Sequence, residues 1–172
     1  PLPEQITYKG GYCACDSSRA VVGEFAKLES RIDPSAEGIR AEGYRLQIDR
    51  RKILLTAIDS AGLFYGKQTL RQLATAQGIP CVEVLDNPRF AYRGMHLDVS
   101  RHFFPKEQIF KILDEMAYYK LNKFHFHLCD NGGWRIQIDK YPLLTKLGSH
   151  RMEIEWLKWW DFGDKHYVPE GT

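Results

Sequence analysis

The sequence predicts an α/β protein in two parts: a small α+β unit over residues 1–86, then a unit built on parallel strands over residues 87–172. Three observations carry that expectation. The runs "GYRLQID" (43–49) and "KILLTAID" (52–59) are rich in strand-forming residues and are joined only by Arg50 and Arg51, which reads as a hairpin. "DNPRF" (86–90) is turn chemistry, and the pattern changes after it. Beyond it, "YRGMHLDVS" (92–100) and "KFHFHLCD" (123–130) flank a helical run. Strand, helix and strand within about forty residues make a crossover that joins parallel strands.

Each element has its own signal. After the hairpin, "SAGLFYGKQTLRQLATAQG" predicts a helix with Ser60 as N-cap and Gly78 as its stop. Leu63, Phe64, Leu70 and Leu73 form its expected apolar side. "PCVEVLD" reads as a short strand. In the second part, "PKEQIFKILDEMAYYK" (105–120) opens on Pro105, which suits a first helical turn. Ile109, Ile112, Leu113, Met116 and Ala117 recur at the spacing of one helical face. "KFHFHLCD" reads as a buried strand, with His125 and His127 on one face and Phe124, Phe126 and Leu128 on the other. Past residue 132, "WRIQIDKYPLLTKLGS" carries signals for a short strand and a turn, while "EWLKWWDFGDKHYVPEGT" has no clear period.

Composition narrows the partners. There are 24 Lys and Arg against 22 Asp and Glu, with no run of like charges. This balance argues against nucleic-acid or membrane-surface binding driven by bulk electrostatics. No apolar run is long enough to span a bilayer, and "PLPEQITYKGG" lacks the organisation of a signal peptide. Cys13 and Cys15 are too close for an easy mutual disulfide, and no pair among these, Cys81 and Cys129 has zinc-ligand spacing. Cys129 reads as a small buried hydrophobe.

A longer pattern then emerges. The elements "RG…LD.SRHFFP", "MA.YKLNKFH.HL.D" and "GWRI.I.KYP.LT..G" run through residues 87–151. They resemble the start of the catalytic barrel in family-20 glycoside hydrolases, the β-N-acetylhexosaminidases. "EGYRLQI" and "DSAGLFYGKQTLRQL" resemble the non-catalytic α+β domain that precedes that barrel. The resemblance implies a (β/α)8 TIM barrel that removes terminal β-linked N-acetylglucosamine or N-acetylgalactosamine without a metal or organic cofactor. It also implies a retaining mechanism in which the substrate's own 2-acetamido oxygen attacks the anomeric carbon. In such enzymes an adjacent Asp–Glu pair assists, the Glu as general acid and the Asp holding the acetamido group.

That pair belongs to a His-x-Gly-x-Asp-Glu signature near the end of the fourth barrel strand, and this sequence has no such signature. Its one Asp–Glu dipeptide, Asp114–Glu115, falls on the polar side of the helix and reads as solvated surface. The expectation is therefore an N-terminal portion with the first two of eight barrel strands, inactive alone, whose partner is the remainder of the barrel. Two parallel strands cannot close, and their unpaired edges expose backbone groups. Residues 87–172 are accordingly expected not to fold stably by themselves.

Barrel active sites lie at the C-terminal ends of the strands. Arg101 follows the first such strand and Asp130 ends the second. Adjacent strands are about 5 Å apart, so the two side chains should share one rim. A guanidinium's planar fork donates to adjacent sugar hydroxyls. By resemblance, Arg101 matches the arginine that binds the outer hydroxyls of the terminal sugar. The alternative is a rim salt bridge, for instance with Asp98. Asp130 matches a carboxylate that orients a histidine from a later strand, which contacts the catalytic glutamate. Its alternative is a turn aspartate bonding its own loop, since "DNGG" is strong turn composition. Asn131 stands where the family often has an acid.

His125 and His127 are expected to be satisfied core histidines, with Asp98 a possible partner. A rival reading makes them ligands in a metal-dependent barrel hydrolase, which needs a third ligand from His96 or His102. Another rival is a non-catalytic carbohydrate-binding fragment. Trp156, Trp159, Trp160 and Phe162 suit either a sugar subsite or loop packing. The expected partner is an amino-sugar-terminated glycan, and the expected location is secreted, periplasmic or lysosomal.

Overall fold

The computed structural model describes residues 1–14, 25, 27–130 and 133–150. The chain divides into two units, Pro1–Arg93 with Asp114–Asn122, and Gly94–Leu113 with Lys123–Thr172. The expectations for Cys15, Asn131 and the four aromatics beyond residue 150 lie outside the described residues.

The first unit holds β1 (Gln5–Cys13), β2 (Leu28–Ile32), β3 (Tyr44–Ile48), β4 (Ile53–Ala57), α1 (Ser60–Leu73) and β5 (Ile79–Asp86). Its sheet has the order β1-β5-β3-β4-β2; β2 runs parallel to β4 and every other pair is antiparallel. The expected hairpin is present, pairing Leu46 with Leu55 and Ile48 with Ile53. Period-two alternation explains its core: Tyr44, Leu46 and Ile48 are buried while Gln47 points outward. Leu55, Leu70, Ile79, Val82 and Val84 complete the cluster. At the sheet edge, β1 bulges between Tyr8 and Tyr12, where Gly10 and Gly11 have φ of 77° and 83°. Such a bulge twists an edge away from further pairing.

Two expectations for α1 are corrected, and a third holds except at Phe64. Asp59, not Ser60, is the N-cap: its Oδ1 accepts the Gly62 N–H at 2.7 Å, and its Oδ2 accepts the Glu42 N–H at 2.8 Å. Two carboxylate oxygens serve both helix and loop, which one serine hydroxyl does less well. Leu70 is buried and Leu63 and Leu73 pack against the core as expected, but Phe64 is 46% exposed, and Tyr65, Gln68 and Thr69 with Gly62 and Gly66 complete the buried side. The glycines decide this, because a Cβ at Gly62 would overlap the Gly43 carbonyl and one at Gly66 would overlap Leu55. The helix ends at Leu73, and Gly78 instead closes a turn with Thr75.

A polar network secures the segment Lys120–Asn122 within this unit. Lys120 Nζ donates to Asp86 Oδ2 (2.7 Å) and to the Tyr44 hydroxyl (2.8 Å). Tyr44 gives its own proton to Asp86 Oδ2 at 2.8 Å, so Thr69 is the donor in their 2.6 Å contact. Beside it, Arg93 pairs with Glu42, and Asn122 Nδ2 donates to both Glu42 oxygens at 3.1 Å.

In the second unit, β6 (Gly94–Asp98) and β7 (Lys123–His127) are parallel, in register from Gly94↔Lys123 to Asp98↔His127. The crossover prediction therefore holds, with α2 (Lys106–Tyr118) between them. On α2, Ile109 and Met116 are buried, Leu113 is 39% exposed, and Asp114 and Glu115 are exposed. The strand expected to continue to Asp130 breaks at Leu128. Val99 N–H donates the last rung to the His127 carbonyl at 3.1 Å. The chain then enters a short hairpin of β8 (Cys129–Asp130) and β9 (Gly133–Trp134), and α3 (Leu143–Lys146) follows. Nor is β7 a buried strand. In a two-stranded sheet its residues are half-buried or exposed, Phe126 37% so, and Cys129 is half-buried. No closed barrel forms among the described residues.

Candidate active site

Parallel strands in register end together, so Asp98 and His127 sit side by side at the C-terminal edge of β6 and β7. The chain leaving β6 is held by buried contacts. Ser100 is fully buried, and its hydroxyl donates to the Gly133 carbonyl at 2.8 Å. Arg135 donates from Nε to the Val99 carbonyl (2.9 Å), from Nη2 to the Ser100 carbonyl (3.2 Å), and from Nη1 to the Ser149 carbonyl. Gly133 makes room for this: a Cβ there would lie 2.9 Å from the Arg135 guanidinium and 3.1 Å from the Ser100 carbonyl oxygen.

On that braced loop, Arg101 meets Asp130. Arg101 Nη2 lies 2.8 Å from Asp130 Oδ2, and Arg101 Nη1 donates to Asp98 Oδ2 at 2.7 Å. His127 Nε2 lies 3.0 Å from Asp130 Oδ2 and 3.3 Å from Arg101 Nη1. A guanidinium only donates and an ionised carboxylate only accepts. The shorter contact therefore assigns the His127 proton to Nε2, donated to Asp130. The Arg101 and Asp130 side chains are each 32% exposed, open to a ligand yet held. Burial opposes the charge on Asp98, but hydrogen bonds from the Arg101 and Ser100 N–H groups and from the Arg101 guanidinium outweigh it. They hold its carboxyl below the usual carboxylate range.

The two predicted site residues are thus brought together on one rim. The alternative for Arg101 also has geometry behind it, since Arg101 does bridge to Asp98, while Asp130 bonds His127 at the end of β7. Asp98, a possible partner of the histidines, bonds Arg101 and Ser100 instead, and His127 turns to Asp130. His125 is exposed rather than buried, with its Nδ1 3.0 Å from Nδ1 of His96. His102 packs edge-on against Phe104 instead. Among the described residues no group of three or more His, Cys, Asp or Glu side chains is arranged to hold a metal. Sequence reasoning missed Arg135, whose signal was a lone cation two residues after the glycine that makes room for it. A pocket of about 510 Å³ lies in the first unit beside Lys120 and Asp86 and includes none of these rim residues. No helix of the described residues is long and apolar enough to cross a membrane.

Comparison with known proteins places the geometry in a family. The model of "Glycosyl hydrolase family 20, domain 2" matches residues 22–87, and that of "Glycosyl hydrolase family 20, catalytic domain" matches residues 90–161. A β-hexosaminidase of Porphyromonas gingivalis is 44% identical over 159 residues, covering 80% of this chain and 20% of its own length. One from Vibrio vulnificus is 48% identical over 114 residues, covering 65% of this chain and 14% of the relative. The chain thus spans a fifth or less of these curated relatives. Among solved structures, the GH20 exo-β-N-acetylglucosaminidase of Vibrio harveyi, in complex with N-acetylglucosamine, superposes with a TM-score of 0.73. It is 29% identical and covers 86% of this chain and 28% of its own. Two consecutive domains of one family account for most of the sequence, and the chain belongs to glycosyl hydrolase family 20, carrying its domain 2 and the beginning of its catalytic domain.

Proposed function

We propose that this chain is the N-terminal part of an exo-acting β-N-acetylhexosaminidase, with a non-catalytic α+β domain over residues 1–86 and the start of a (β/α)8 barrel over residues 87–172. Arg101 grips the outer hydroxyls of a terminal amino sugar. Asp130 is the carboxylate that orients and charges the histidine relay toward the general acid. The reaction is retaining and substrate-assisted: the 2-acetamido oxygen attacks the anomeric carbon while an Asp–Glu pair, absent from these residues, holds the acetamido group and protonates the leaving oxygen. No metal or organic cofactor takes part. The N-acetylglucosamine bound by the Vibrio harveyi relative supports a substrate ending in that sugar, and its galactosamine counterpart is part of the same proposal. A secreted, periplasmic or lysosomal location fits the glycans such enzymes degrade.

One observation carries the reading: the 2.8 Å pairing of Arg101 with Asp130 just beyond the C-terminal ends of two parallel strands, the edge where barrel active sites lie. The test is Arg101→Ala in the complete enzyme, assayed on a chromogenic N-acetylglucosaminide. Loss of two charged hydrogen bonds to sugar predicts a fall in kcat/KM of about a hundredfold or more. Near-normal turnover would overturn the role. For Asp130→Asn, kcat is expected to fall because the relay serves the chemical step, and KM to rise as well because Asp130 also holds Arg101 Nη2.

A further inference from the structure

One carboxylate holds Arg101 by both its backbone and its head. Asp98 Oδ1 accepts the N–H groups of Ser100 at 2.9 Å and of Arg101 at 3.1 Å. Asp98 Oδ2 accepts from Arg101 Nη1 at 2.7 Å, while Nη2 faces Asp130 at 2.8 Å. An arginine side chain has several soft torsions, so one contact leaves its plane free to turn. Contacts at both terminal nitrogens fix that plane. Asp98 is suited to be the fixed end because it closes strand β6 and its loop is braced by Ser100 and Arg135. Asp130 lies in a two-residue strand beyond the break at Leu128 and also receives His127.

We propose that Asp98 is a positioning residue for sugar binding: by pinning Nη1 it sets the plane in which the Arg101 guanidinium meets the hydroxyls of the terminal sugar. The proposal rests on the sugar-gripping role of Arg101 and goes beyond it. Without the Asp98 charge, the guanidinium pivots on Asp130 and its fork no longer matches adjacent hydroxyls. Asp98 then acts through Arg101 alone.

The test is a double-mutant cycle in the complete enzyme with Asp98→Asn, Arg101→Ala and the pair combined, measured on the chromogenic N-acetylglucosaminide. The amide introduced by Asp98→Asn would keep an oxygen for the loop N–H groups and lose the charge facing Nη1. Asp98→Asn is expected to raise KM about tenfold or more with a smaller change in kcat. The combined variant is expected to retain the kcat/KM of Arg101→Ala within about twofold, because the two residues act as one unit. Asp98→Ser, which leaves one oxygen for the loop, is expected to repeat the KM rise. An unchanged KM in Asp98→Asn, or losses that add in the combined variant, would overturn the proposal. So would failure of both Asp98 variants to fold, since Asp98 would then be a folding residue. If Arg101→Ala itself is near-normal, the sugar-gripping reading fails first, and the cycle separates the two failures.

Discussion

At Lys120 the backbone is left-handed, with φ of 59°, and its side chain delivers a charge to Asp86 and Tyr44 in the first unit's interior. Two effects compete there. Glycine would relieve a strain of about 1 kcal/mol. Removing the ammonium would leave Asp86, whose side chain is only 15% exposed, as an unpaired buried charge, costing about 3–5 kcal/mol. The second effect wins, so Lys120→Gly is expected to destabilise the chain by about 2 kcal/mol or more in urea unfolding. The same carboxylate makes a pH prediction. Burial works to raise the Asp86 pKa, but hydrogen bonds from Lys120, Tyr44 and the Glu4 N–H, with the Lys120 charge, hold it below its ordinary 3.8. A depressed folded-state value means that the unfolded chain binds the proton more readily. The Asp86 contribution is therefore complete above about pH 3.8 and fades as pH falls through the lower folded value. Asp86→Asn should flatten the acid limb of a stability–pH curve. A slope that survives this substitution unchanged would assign it to other carboxylates.

Among the elements, α1 shows what apolar periodicity alone leaves out of a packing face. Leu63 and Leu73 pack against the core while Phe64 stays exposed, and Gly62 and Gly66 face the sheet because only they permit close backbone approach. Gly62→Ala gains about 1 kcal/mol of helix propensity. Its methyl group meets a backbone carbonyl that no rotamer change can move, and overpacking costs about 1–3 kcal/mol. A net loss of thermal stability is expected, and a raised melting temperature would show that α1 shifts freely on the sheet. The hairpin, β5 and the βα crossover were legible because period-two and helical apolar patterns report directly on backbone geometry. The β7 break at Leu128 was not, since a run of apolar residues looks the same whether it continues one strand or turns into the next.

For the whole molecule, the two units differ in what stabilises them. The apolar cluster of buried residues lies entirely in the first unit, between a five-stranded sheet and α1. In the second, β6 and β7 pair only with each other among the described residues, and Phe126 on β7 is 37% exposed. Amide hydrogen exchange on the 172-residue chain is therefore expected to be slowest in β3, β4 and β5 and markedly faster in β6 and β7. Equal protection in both sheets would show that the second unit stands by itself.

Sequence alone determined the hairpin, the parallel crossover and the family, because these are written in local periodicity and in long contiguous motifs. Arg101 and Asp130 were legible as rim residues from the contiguous motifs around them, although β6 ends at Asp98 and β7 at His127. Only tertiary structure decided what those residues touch. That Asp98 serves Arg101 rather than the histidines, that His127 serves Asp130, and that Arg135 ties three carbonyls together depend on side-chain reach across β6, β7 and the loops between them. A hydrogen bond forms within about 3 Å, and residues brought that close from separate segments leave no periodic mark on either one.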